Sequence, residues 1–429
     1  MKRRSITLAV LLALIAAVIG AVPALTTAQE AVTLVVWDNW TRDVEVAMIE
    51  QLNAEFEEAH PGVTIVKEAY VVDDLNALLP LALSEASGPD VAQVNQGYTA
   101  MGPMVGAGLL LPLNEYADQY GWWDRYAMSL HKRNSFAEDG SQIAVGNLYG
   151  VSNAAEIVGV YYHRDIFEEH GLSIPQTFAE FEEILATLKG AGVTPIVFGS
   201  LDGWPAIHEY GAIQHAYTDI DTLDAFMYRL EGGTFINDAN LKAAEKLVEW
   251  VKAGYFSPGF EGMDYDNATF AAFLNKQGAM WITGSWMAGS IIDELGEDAV
   301  GFFVFPPAEA GAPPLGIGGV NLAYGVRATT AHPDLAAAYV DWITGPRAAE
   351  VLLENGFLPA SAVDVETLPE STLNTDVVLG WMTISEANAV GHYLDWTVPN
   401  IAGYIQELMA ERVTPQEFLD KVEQEYLAG

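Results

Sequence analysis

The sequence predicts an α/β protein of two doubly wound lobes that face one another. Three observations carry this. Short apolar runs of strand length alternate with amphipathic stretches of helical period. The alternation comes in two series, joined by short polar interruptions. The chain has 429 residues, 51% of them hydrophobic, enough for two domains of roughly 100–200 residues each.

The first series opens with Thr33 to Trp37, a β-branched run read as a strand, followed by the polar and aromatic loop Asp38-Asn39-Trp40-Thr41. Thr41 is placed to cap a helix from about Arg42 to Ala59, which Pro61 ends. Val63 to Lys67 is the second strand, so the unit is βαβ and its strands should be parallel. Asp74 to Ser84 reads as the next helix and Asp90 to Asn95 as the next strand, with Gln96-Gly97-Tyr98 as its loop. Asn114 to Asp124 is acidic and aromatic surface. Asn153 to Glu156 interrupts the pattern before the strong strand Ile157 to Tyr162.

A second series follows. Thr177 and Glu180 form a capping box for a helix that ends at Gly190. Thr194 to Phe198 reads as a strand with the loop Gly199 to Trp204; Thr222 to Leu230, Ala239 to Ala253 and Asp266 to Asn275 read as helices. Ala279 to Ile282 is a buried strand, broken by Gly284-Ser285 and followed by Trp286 and a helix from Met287 to Leu295. A strand, a tight turn, a tryptophan and a helix N-terminus put a flat apolar ring and free N–H groups at one sheet edge, where open α/β sheets bind ligands. Gly301 to Phe305 is a strand, Pro306 to Gly319 a Pro/Gly-rich loop, and Val320 to Val326 a strand. Pro333 to Thr344 and Pro346 to Glu354 are helices, Gly356 to Ala360 turns back, and the remainder is helical, its last helix capped by Thr414, Pro415 and Glu417.

Composition narrows the function. Residues 1–28 read as a secretory signal, with a basic start, an apolar run and small residues before Gln29; retention of that long run as an anchor is the alternative. The chain is therefore expected to be exported, to the periplasm or the cell surface. It has no cysteine, which excludes disulfides, thiolate metal sites, a cysteine nucleophile and a lipid-modified N-terminal cysteine. A formal charge of −39 argues against nucleic acid or anionic membranes as partners. The eight histidines form no zinc pattern, and no nucleophile elbow, phosphate loop or dinucleotide fingerprint is present, so neither cofactor nor metal nor catalytic residue is expected.

In this order, several motifs resemble the extracellular solute-binding proteins of ABC sugar importers, the maltose-binding-like group. They are Gly88-Pro89-Asp90-Val91, Gly106 to Leu113, Leu148 to Val151, Val160 to Phe167, Gly171 to Phe178, His332 to Ala338 and, most specific, Gln277-Gly278-Ala279-Met280 followed by Gly284-Ser285-Trp286, similar to that group's Gly-x-Ala-Met and Gly-x-Trp. His163 departs from the asparagine usual in that group, and Ser152-Asn153 from its proline and tyrosine. The resemblance implies a type II periplasmic-binding fold whose chain crosses between lobes three times, near 153–156, 322–326 and 358–362. Lobe 1 is then 31–153 plus 324–358, and lobe 2 is 154–323 plus 359–429. It also implies hinge closure on a ligand and docking of the closed form on a membrane permease, by a chain that acts as a monomer.

A sugar offers apolar C–H faces and a rim of hydroxyls, so its site wants aromatic rings with Asp, Asn, Glu or Gln. The strand-end loops supply Trp37, Asp38, Asn39 and Trp40, then Asn95, Gln96 and Tyr98. The first crossing supplies Asn153 and Glu156, and the second lobe Asp202, Trp204, Trp286, Gly319, Asn321 and Trp396. Trp281 alternates into the sheet and reads as core. Two rivals remain: a secreted glycosidase, which needs two carboxylates about 5–10 Å apart, and a binder of a non-sugar cation such as a polyamine.

Overall fold

The computed structural model describes residues 31–361 and 372–428. The leader expected at 1–28, and Ala362 at the end of the third crossing, lie outside the described residues. The described strands are β1 (Val32–Asp38), β2 (Val63–Ala69), β3 (Val91–Val94), β4 (Ser135–Phe136), β5 (Asn147–Leu148), β6 (Ala155–His163), β7 (Met280–Gly284), β8 (Val300–Phe303), β9 (Gly316–Val320), β10 (Ala323–Val326) and β11 (Val390–Gly391).

The first sheet has the order β10-β3-β1-β2. β1 runs parallel to both β2 and β3, as the βαβ pattern requires, and β10 is antiparallel to β3. The first crossover helix, Asp43–Ala59, buries Met48, Ile49, Leu52 and Phe56 on one stripe. The second, Val72–Ser84, buries Leu75, Leu79 and Leu83 at four-residue spacing. Thr41 does not cap the first helix: Arg42 is its N-cap residue, and the Glu45 carboxylate accepts the N–H groups of both Thr41 and Arg42.

In the second sheet β6 is central, and every residue of it is buried apart from Glu156, which is partly buried. β7 lies along one edge, and β9 and β8 follow one another along the other. All three run antiparallel to β6, while β11 runs parallel to β9, so this sheet is mixed rather than parallel throughout. Thr194 to Phe198 pairs only at isolated points, through Val197 N–H to the Met280 carbonyl at 2.7 Å and Ala279 N–H to the Thr194 carbonyl at 2.9 Å. Pro195, without an N–H, interrupts a regular ladder there. The loop expected to run to Gly319 ends sooner, since Gly316–Val320 is β9. The helix Pro205–Tyr217 was not foreseen. Every residue from Pro205 to His215 is buried, so it has no polar face and no helical alternation to read.

Three chain passages run side by side between the lobes. Ala154 pairs with Pro359, the Ala155 N–H donates to the Leu358 carbonyl at 2.8 Å, and the Ala360 N–H donates to the Asn153 carbonyl at 2.9 Å. Asn321 ties the remaining passage in. Its backbone N–H reaches the Ala154 carbonyl at 2.9 Å, its Oδ1 accepts the Ala154 N–H at 3.2 Å, and its Nδ2 donates to Asn153 Oδ1 at 2.9 Å.

Candidate functional site

A cavity of about 360 Å³ lies where the carboxyl ends of strands from both lobes meet. The first lobe contributes Asn39 to Arg42 after β1, Val72, Asp73 and Asn76 after β2, and Asn95 and Gln96 after β3. The second contributes Glu156 at the start of β6, Trp286 after β7, Asn321 after β9, and Tyr393, Asp395 and Trp396 after β11. Asp202, Trp204 and His208 come from the loop and helix after Phe198, and Tyr265 and Asp266 from the turn before Phe270.

Trp286 owes its position to its neighbours. A Cβ on Gly284 would sit 2.0 Å from the Trp286 ring, so only glycine leaves room for the indole to fold back beside the strand end. The Trp286 Nε1–H donates to Tyr265 Oη at 2.7 Å, and that hydroxyl is 2.8 Å from Thr283 Oγ1. Trp204 completes the aromatic corner, 4.4 Å from Tyr265 and 6.3 Å from Trp286 between ring centres. On the opposite wall the Trp40 Nε1–H donates to Tyr324 Oη at 3.0 Å. Trp281 is 1% exposed and lies in the core, as read.

The wall is acidic. Arg42 pairs with Glu45 at 2.9 Å within its own lobe and with Asp266 of the other lobe at 2.5 Å, so this ion pair spans the cavity. Burial pushes the Glu156 carboxyl up to about 8, against the opposing effect of the Tyr393 hydroxyl. Burial also pushes Asp395 up to about 6 and His208 down to about 3, so that imidazole is neutral. Among the described residues no group of three or more His, Cys, Asp or Glu is arranged to hold a metal ion.

Of the residues expected from sequence, Asn39, Asn95, Gln96, Glu156, Asp202, Trp204, Trp286, Asn321 and Trp396 are brought together on this wall. Five are not. Trp37, at the end of β1, packs on Tyr70 with ring centres 4.8 Å apart. Asp38 is fully buried, 3.1 Å from Lys67 Nζ, and accepts the Trp40 N–H at 3.2 Å, so it shapes the loop from behind. The Tyr98 hydroxyl is engaged by Gln142 Nε2 at 3.1 Å. Asn153 is held in the passage between lobes by Asn321. Gly319 lies in β9, where a Cβ would come 2.4 Å from Arg133 Nη1. Sequence reading offered Trp40, and Asp395 beside Trp396, but did not select Arg42, Asp73, Asn76, His208, Tyr265, Asp266 or Tyr393. These sit on helices and turns whose side-chain direction the sequence does not reveal.

Two α/β lobes, three passages between them and a polar, ring-lined cavity at the strand ends define a ligand-binding protein of the type II periplasmic fold. The sequence model for the bacterial extracellular solute-binding proteins matches residues 41–350, and the chain belongs to that family. It is similar to an uncharacterized ABC transporter extracellular-binding protein of Pyrococcus horikoshii, 29% identical over 62% of this chain and 60% of that one. It is also similar to the multiple sugar-binding protein of Streptococcus mutans, 25% identical over 47% of this chain and 49% of that one. The chain thus spans about half to three fifths of these relatives. Among solved structures, a chitin oligosaccharide binding protein superposes with a TM-score of 0.77 at 24% identity, over 93% of this chain and 100% of the other. The family and these neighbours are binding proteins. No helix of the described residues is long and apolar enough to cross a membrane.

Proposed function

We propose that the protein captures a carbohydrate in the interlobe cavity and delivers it to an ABC permease, without chemistry of its own. The observation that carries this is the composition of the wall. The half-buried indoles of Trp204 and Trp286, with Trp40 and Trp396 also on the wall, border the same space as the amides of Asn39, Asn76 and Asn95 and the carboxyl groups of Glu156 and Asp202. Rings suit the C–H faces of a sugar, and the polar groups suit its hydroxyls. The names of the Streptococcus mutans relative and of the chitin oligosaccharide binding neighbour support the same ligand class.

On this reading the lobes are 31–153 plus 324–358 and 154–323 plus 359–429, and the chain is exported and works as a monomer. Closure is a hinge motion about the three passages, favoured by a ligand that touches both lobes. A thermal-shift screen over mono- and oligosaccharides tests it, because a ligand of the folded state raises the melting temperature by mass action. At least one sugar should raise it in a saturable way and be recovered chemically unchanged. A panel with no stabilising sugar, or turnover of the sugar that binds, overturns the proposal.

A further inference from the structure

His208 is the one described histidine that lines the cavity. It sits in the first turn of the helix Pro205–Tyr217 and is 3% exposed. Three aromatic side chains surround its imidazole: Trp204, Trp286 and Tyr393, with ring centres 5.2, 5.5 and 5.9 Å away. Neither of its ring nitrogens has a hydrogen-bond partner among the described residues, and Nδ1 is fully enclosed. Burial alone holds the ring neutral, so no charged side chain is engaged with it either.

The other buried histidines differ. His163 Nε2 lies 2.9 Å from the Phe273 carbonyl, and His392 Nε2 lies 2.6 Å from Asp224 Oδ1. His131 and His215 also lack partners, but neither borders the cavity. A buried donor or acceptor without a partner costs the folded state the hydration it has lost. A phenylalanine would fill the same aromatic corner without that cost. The imidazole is therefore explained when its missing partner arrives with the ligand. A neutral imidazole offers one donor and one acceptor, and a hydroxyl group can meet either. A sugar that fills the cavity brings hydroxyls to the space this ring borders.

We infer that His208 reads one hydroxyl of the bound sugar, so that the cavity selects a saccharide whose hydroxyl at that position is free and rejects one that is deoxygenated or substituted there. This rests on the carbohydrate reading and deepens it. Calorimetric titration of the full chain tests it. The panel is glucose, galactose, mannose, xylose and N-acetylglucosamine with their β-1,4-linked disaccharides, each beside its monodeoxy forms, one hydroxyl removed at a time. For the sugar that binds, loss of one particular hydroxyl should weaken binding about tenfold or more in the parent protein. In His208→Phe the same loss should change affinity by less than about threefold, because the group that reads the hydroxyl is gone. Without ligand this variant should melt no lower than the parent, since it removes a buried polar group that has no partner. His208→Leu, which also lacks polar atoms, gives the same comparison should His208→Phe misfold. If every deoxy form loses the same factor in the parent and in the variant, the inference falls and the carbohydrate reading stands. If no sugar of the panel binds the parent, both fall.

Discussion

Replacing Trp286 by alanine separates a binding role from a packing role. The indole is half-buried, with its inner side against Trp204 and His208 and its N–H bonded to Tyr265 Oη at 2.7 Å. A fully enclosed indole buries on the order of 200 Å², so the side facing the cavity offers about 100 Å². At roughly 25 cal/mol per Å², covering it is worth about 2.5 kcal/mol, a loss of about 60-fold in affinity on truncation. Losing the inner side and the bond to the Tyr265 hydroxyl, which keeps its contact with Thr283 Oγ1, should cost stability of similar size. Calorimetric titration with the tightest sugar of the screen gives the first quantity, and urea denaturation without ligand gives the second. Trp250→Phe is the control. Trp250 is 1% exposed and packs on Phe178 and Phe181, away from the cavity, so its variant should lose stability and keep its affinity. A Trp286→Ala protein destabilised as expected but binding within about threefold of the parent would show that the ring only packs, and the placement of the site would be wrong.

The remaining expectations concern charge. The Glu156 carboxyl is raised from 4.5 to about 8 by burial, so its contribution to stability is full below 4.5 and is lost as pH rises through 8. Glu156→Gln should remove that slope, narrowing the gap between melting temperatures at acidic and alkaline pH; an unchanged gap would contradict the assignment. Arg42→Ala removes the ion pair to Asp266, which is about half exposed and so worth at most about 1 kcal/mol, or about fivefold in the ratio of closed to open forms. Small-angle scattering of the unliganded protein should then report a larger radius of gyration, and no change would mean that the pair does not hold the lobes together. Arg133 is 3% exposed and donates to the carbonyls of Gly318 at 2.5 Å and Val390 at 2.8 Å. Arg133→Met should cost about 2–3 kcal/mol in urea unfolding, since it leaves buried acceptors unmet; a loss well under 1 kcal/mol would refute that role.

What the sequence disclosed follows from what leaves a period in it. The first βαβ unit is amphipathic and was read nearly to its ends, as was the capping box at Thr177, where the Glu180 N–H donates to Thr177 Oγ1 at 3.2 Å. The helix Pro205–Tyr217 is buried around its circumference and has no such signal. The site divides in the same way. Residues immediately after strands, such as Asn39, Asn95, Trp286 and Asn321, reached the wall because strand ends point there. Trp37 and Asp38, still within β1, did not: Trp37 packs on Tyr70 and Asp38 is buried against Lys67, and only beyond the strand end does the chain reach the cavity. Asp73, Asn76 and His208 sit on helices or their first turns, and only the tertiary packing of those helices aims them inward.

The cavity wall and the passages between lobes share atoms, which bears on how binding could move the protein. Gln96 Nε2 donates to the carbonyls of Asn321 at 2.7 Å and Val320 at 3.2 Å, and Gln96 and Asn321 both line the cavity. Asn321 in turn bonds Ala154 and Asn153 in the neighbouring passage. Close to this interface the Tyr98 N–H donates to the Trp396 carbonyl at 2.7 Å, and a Cβ on Gly97 would lie 2.4 Å from Trp396, so glycine there lets the lobes approach. On the proposed reading, a ligand that contacts Asn321 acts directly on a residue bonded to the neighbouring passage. Binding and closure on that reading need no relay through the cores, because Asn321 belongs both to the wall and to a passage between lobes.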